Sequence, residues 1–123
     1  MSIEQIAKRY MDIWNQKDPV ARRASVDELF TPDCSYTDPM AAVTGRDGID
    51  GFIAAVQAQF IGVAFALAGN VDEHHEVGRF TWHARAGSAS AEPLAIGFDV
   101  IVLERGKIRQ VVGFLDKAPK GVA

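Results

Sequence analysis

Residues 92–116 read "EPLAIGFDVIVLERGKIRQVVGFLD", two β-branched, apolar runs joined by "ERGKI". A turn built on Gly106 between two such runs signals a hairpin, so this stretch predicts two antiparallel strands. Working backwards, "VAFALAGNVDEHH" (63–75) and "GRFTWHARA" (78–86) are β-rich as well, and no helical period is visible beyond Gly62. In the second of these, Phe80, Trp82 and Ala84 share one face, while Arg79, Thr81, His83 and Arg85 share the other. The aromatic face is expected to point inward.

The first half of the chain is helical in pattern. Ile3, Ile6, Ala7, Tyr10, Ile13 and Trp14 recur at the spacing of one helix face, with Glu4, Lys8, Asp12 and Gln16 opposite. Asp18 and Pro19 then supply an N-cap and a first helical residue, and "SVDE" at 25–28 has capping-box spacing. A second, shorter helix is expected to run to about Phe30, with "SVDE" leaving open a break within it. Pro32 and Pro39 bracket a short extended piece carrying Cys34 and Tyr36, and "AAVTG" reads as a loop. From Arg46, the positions Ile49, Phe52, Ile53, Val56 and Phe60 return to helical spacing and predict a third helix ending near Phe60 or Ile61. Helices first and strands afterwards define an α+β domain over 1–123, with three N-terminal helices packed on a curved, mainly antiparallel sheet.

Composition bounds the function. At 123 residues, with 48% apolar and 24% charged side chains, the chain can bury a core of its own. A net charge of −3 leaves no basic face for phosphates, which argues against a nucleic-acid partner. Cys34 is the only cysteine, so no internal disulfide and no thiolate metal cluster can form. The thiol reads as a small core hydrophobe. The opening "MSIEQIAKRY" is too charged for a secretory leader, and no apolar run is long enough to span a membrane, so a cytoplasmic protein without a membrane partner is expected.

The order of elements, together with "RYMDIWNQKD", "SYTDPM…TGRDGIDGF" and "GFDVIVLERGKI", resembles the nuclear transport factor 2-like superfamily, in particular its SnoaL-like and ketosteroid isomerase-like branch. The resemblance runs from about Ile3 to Asp116; "SASAEP" and the final "DKAPKGVA" have no counterpart in it. It implies a cone-shaped α+β barrel with an apolar pocket between sheet and helices, usually in a homodimer joined through the sheets, with no cofactor. It also implies roles. Tyr10 in "KRYMD", Asp38 in "YTDPM" and Asp99 in "GFDVI" match the positions of an oxyanion-hole tyrosine, a proton-shuttling base and a protonated oxyanion-hole acid. That division of labour in ketosteroid isomerase is a known worked case and is carried over from it.

Each of the three has a plainer reading. Asp99 sits in a strand apolar on both faces, so alternation alone leaves open whether it faces a pocket or faces outward beside a partner such as Arg109. Asp38 before Pro39 is a favourable turn residue, and Tyr10 on a buried stripe reads equally as a core phenol bonded to backbone or to a buried carboxylate such as Asp99. Trp14, Phe52, Phe80, Trp82 and Phe114 are expected to wall a pocket for a small apolar molecule, core packing being the default for such residues. "DEHHE" (72–76) is not read as a metal site, because adjacent His74 and His75 project to opposite faces of a strand. The expected function is therefore a small-molecule enzyme resembling ketosteroid isomerase. The alternatives are a non-catalytic ligand-binding or dimerisation module and a SnoaL-type cyclase or hydratase using an Asp–His pair.

Overall fold

Ser2 starts the first helix with a reciprocal cap: its hydroxyl accepts from the Gln5 amide at 3.1 Å, and the Gln5 side chain accepts from the Ser2 amide at 2.8 Å. The computed structural model, which describes residues 1–87 and 92–119, continues this helix as α1 (Ile3–Asn15). Its buried stripe holds Ile3, Ile6, Ala7, Tyr10, Ile13 and Trp14 as the spacing predicts, and Met11 besides. The Asp18 carboxylate accepts from the Ala21 amide at 2.9 Å and opens α2 (Pro19–Leu29). This second helix is unbroken. Ser25 lies in its interior and caps nothing, because Arg22, Val26 and Leu29 bury one continuous face through that point.

The chain then enters β1 (Phe30–Asp38) and turns back at Pro39-Met40 into β2 (Ala41–Thr44). The segment "AAVTG", expected as a loop, is therefore mostly an edge strand. Small alanines carry little β-propensity, so the local signal was weak, and pairing with β1 is what makes the strand. After α3 (Gly45–Gln59) come β3 (Val63–His74), β4 (Val77–Ala86), β5 (Ala95–Glu104) and β6 (Lys107–Lys117), close to the predicted runs. The strands form one sheet in the order β2-β1-β6-β5-β4-β3, antiparallel except where β1 runs parallel to β6. The sheet is curved and open, with β2 and β3 as its edges, and the three helices pack on its inner side. Residues 88–91 of "SASAEP" and 120–123 of the C-terminal stretch lie outside the described residues.

Two polar networks fix the C-terminal end of α1. Asn15 pairs with the Phe65 backbone on β3, its Nδ2 donating to the carbonyl at 2.7 Å and its Oδ1 accepting from the amide at 2.8 Å. Gln57 on α3 donates to the Trp14 and Gln16 carbonyls, satisfying acceptors that a helix end leaves without partners. Gln57 also accepts from Arg22, a buried guanidinium that donates to Asp50 at 2.9 Å. Such a buried charge is tolerated because it is paired and hydrogen-bonded. The result is that Trp14 is held between the helices and the sheet, where the cavity begins. Cys34 is buried, and desolvation pushes its thiol up, in line with a packing role.

Candidate functional site

On β5 the burial alternates strictly, so Ala95, Gly97, Asp99, Ile101 and Leu103 share the inner face. Asp99 is 4% exposed and faces inward. Arg109, its suggested outward partner, instead approaches Glu104 at 3.7 Å. Asp99 and Asp38 line one cavity between the sheet and the helices. The cavity has a volume of about 70 Å³. Its walls include Trp14, Tyr36, Phe52, Phe65 and Trp82, ring against ring at centroid distances of 5.3 to 6.1 Å. The described lining residues include no Lys, Arg or His.

Two glycines make the arrangement possible. A methyl group on Gly97 would meet Trp82 ring carbons at 2.4 and 2.6 Å, so only glycine lets the indole lie across β5. From there its Nε1–H donates to Asp99 Oδ1 at 3.2 Å. Gly113, paired with Asp99 across β5 and β6, does the same for the carboxyls. A methyl group there would sit 2.8 Å from Asp99 Oδ1 and 3.4 Å from Asp38 Cβ. Without side chains at these positions, two acids and an indole share one small space.

The two acids differ in environment. Burial raises the Asp99 pKa from 3.8 to about 6; the Trp82 bond and the nearby Tyr10 hydroxyl oppose this, and the charge of Asp38 adds to it. Asp38 is half-buried at the end of β1, and both of its oxygens accept hydrogen bonds. Oδ1 accepts from the Met40 and Ala41 amides at 2.7 and 2.9 Å, and Oδ2 accepts from the Tyr36 hydroxyl at 2.5 Å. The turn role and the cavity role therefore coexist in one side chain. Burial holds the Tyr36 phenol neutral, with its pKa far above the usual range.

Tyr10 is wholly buried behind this site and does not line the cavity. Among the described residues its hydroxyl and the Trp14 Nε1–H lack hydrogen-bond partners of normal geometry, although Asp99 is a polar neighbour of Tyr10. Burial, then the charge of Asp99, keeps that phenol neutral too. Of the five aromatic residues expected in the pocket, Trp14, Phe52 and Trp82 line it. Phe80 does not: it sits deeper, its ring 6.0 Å from Tyr10 in the core. Phe114 is also misplaced by the expectation. Its neighbour Gly113 faces inward, so Phe114 faces out, 51% exposed and stacked on Phe98 at 5.2 Å. Sequence reasoning missed Tyr36, Met11, Met40 and Phe65 as lining residues. Tyr36 was within reach, since strand residues two apart share a face and Asp38 had already been singled out.

The three histidines stand away from the cavity. His74 and His75 are exposed at the β3–β4 turn, and His83 is on the outer face of β4. No described helix is long and apolar enough to cross a membrane.

The model of the SnoaL-like domain matches residues 7–111, most of the chain. The chain belongs to the SnoaL-like family. Among solved structures, a proposed isomerase of that family from Agrobacterium tumefaciens is 36% identical, with a TM-score of 0.85 over 91% of this chain and 95% of its own. A proposed ketosteroid isomerase from Kribbella flavida (16% identity, TM-score 0.70, covering 98% and 82%) shares the fold. So does a proposed SnoaL-like polyketide cyclase from Jannaschia (14%, 0.70, covering 91% and 85%). No curated protein matches the sequence significantly.

Proposed function

We propose that the chain is a small-molecule enzyme that moves a proton next to the carbonyl of an apolar substrate, through an enolate. The observation carrying this reading is the pair Asp38 and Asp99 at one aromatic-walled cavity, the first half-buried and the second desolvated. Asp38 takes the proton from the carbon beside the carbonyl and returns it further along the conjugated system. Asp99, protonated, donates to the developing oxyanion, where a dry site strengthens the bond. Tyr10 supports that acid from behind, as a neutral buried phenol beside Asp99.

Titration with β-naphthol, a phenolic stand-in for an enolate, tests the oxyanion site. Its ionised form is expected to be favoured on binding, visible in fluorescence. Asp99→Leu is expected to weaken binding about tenfold, the loss of one strong hydrogen bond to a charged group, and Tyr10→Phe, which acts only through Asp99, by a smaller factor. Unchanged affinity in both variants would overturn the assignment.

A second reading, a non-catalytic ligand-binding module, is favoured by the hydrogen bonds that already occupy Asp38. Under it naphthol binds without a change in ionisation. A cyclase working through an Asp–His pair has less support, since no described histidine lines the cavity.

The outer sheet face presents Phe98 and Phe114 with Val100 and Val112, a patch suited to a second copy of the chain. We place the enzyme in the cytoplasm as such a homodimer. Sedimentation is expected to give a dimer that Phe114→Lys converts to monomer; a monomeric parent protein at all concentrations would refute it.

A further inference from the structure

We infer that Tyr36 is a positioning residue that aims Asp38 and sets its proton affinity, making a Tyr36–Asp38 unit the proton-handling element of the cavity. The inference rests on the function proposed above. It starts from register: residues 36 and 38 lie on the same face of β1, and both reach the cavity. The Tyr36 ring is fixed on three sides, against Phe52 at 5.3 Å, Trp14 at 6.1 Å and the sheet, so its hydroxyl has little freedom. It donates to Asp38 Oδ2 at 2.5 Å, and the turn amides of Met40 and Ala41 hold Oδ1.

A carboxylate offers roughly four lone-pair sites, and three are taken here. The site that remains is the one a substrate proton can occupy. Fixing the other three means that a single rotamer presents it, so the orientation cost is met before substrate arrives. The three donors hold the base in place, and losing any one of them would leave the ionised form with one partner fewer, which favours the protonated form. Of the three donors only the phenol is a side chain, so it is the adjustable one. Burial keeps that phenol neutral, and it therefore acts as a donor and not as a second base. Facing the carboxyls from the packed elements are Asp99 and Trp82 on the sheet, Tyr10 and Trp14 on α1 and Phe52 on α3; none of these described residues is a cation.

Carboxyl-carbon NMR follows the Asp38 titration in the full chain without any substrate. Tyr36→Phe is expected to raise its midpoint by about one pH unit, a tenfold gain in proton affinity. The acidic limb of the pH–rate profile for a β,γ-unsaturated cyclic ketone should rise with it. Fluorotyrosine at position 36, in a Tyr10→Phe background, makes a stronger donor and should move the midpoint down. A purely structural tyrosine would move neither. An unshifted midpoint in both variants overturns the inference, even if the parent enzyme isomerises the ketone. Shifts in opposite directions support the Tyr36–Asp38 coupling, and a parent protein inactive on the ketone then counts against the proposed function alone.

Discussion

Asp38→Asn is expected to slow conversion of a β,γ-unsaturated cyclic ketone to its conjugated isomer by roughly 10²–10⁴-fold, the usual worth of a positioned general base. The substitution is chosen to spare the fold. An Asn side-chain oxygen can still accept from the Met40 and Ala41 amides, so the Pro39-Met40 turn keeps its closure. What disappears is the ability to take up a proton. The loss should fall on kcat, with naphthol binding retained, because oxyanion contacts at Asp99 do not require Asp38. Ultraviolet absorbance of the conjugated product follows the reaction directly. A variant within twofold of the parent rate would remove Asp38 from the mechanism and leave the ligand-binding reading in its place.

Asp99→Asn is expected to make the folded protein more stable above pH 6, while exchanging the acid's O–H donor for a weaker, uncharged amide N–H donor. Asp99 titrates at about 6 in the folded chain and near 3.8 when unfolded. Between those values the native state holds the proton that the unfolded state has released, so stability falls as pH rises across that window. The full difference converts to about 3 kcal/mol at ~1.36 kcal/mol per pKa unit, present below pH 4 and gone above pH 6. Denaturant melts should therefore agree for parent and variant at pH 4 and separate progressively up to about pH 7. Asn can still accept from Trp82 Nε1, so the comparison isolates the charge. The rate carries the complementary signature. If neutral Asp99 is the donor, kcat/KM declines about tenfold per pH unit above 6. A rate that climbs through that point would make Asp99 the base and exchange the two roles.

A buried acid that weakens the fold at neutral pH is a feature a stability-driven sequence would not retain; "GFDVI" showed an acid within an apolar strand, and the fold showed that it is buried. The helix period, the Asp18-Pro19 start and the β-rich runs from Val63 onward were equally legible, because each is written in residues close along the chain. The motifs around Asp38 and Asp99 pointed to two residues that the fold brings to one cavity, while Tyr10 lies behind it.

What local sequence could not carry was set by contacts distant along it. Strand β2 exists because β1 pairs with it, and α2 runs through "SVDE" because Val26 and Leu29 pack on a shared core. Phe114 pointed outward once its register with Phe98 was set, since a shift of one residue inverts every side chain of a strand. The sequence by itself determined the helical and strand periods, the acidic pair and the family likeness. The tertiary structure decided which face Asp99 takes, that Tyr10 stays behind it, and that Tyr36 holds Asp38. Those depend on pairing across the sheet and on two glycines that let Trp82 and the carboxyls approach, and nothing within a strand's own sequence specifies its neighbours.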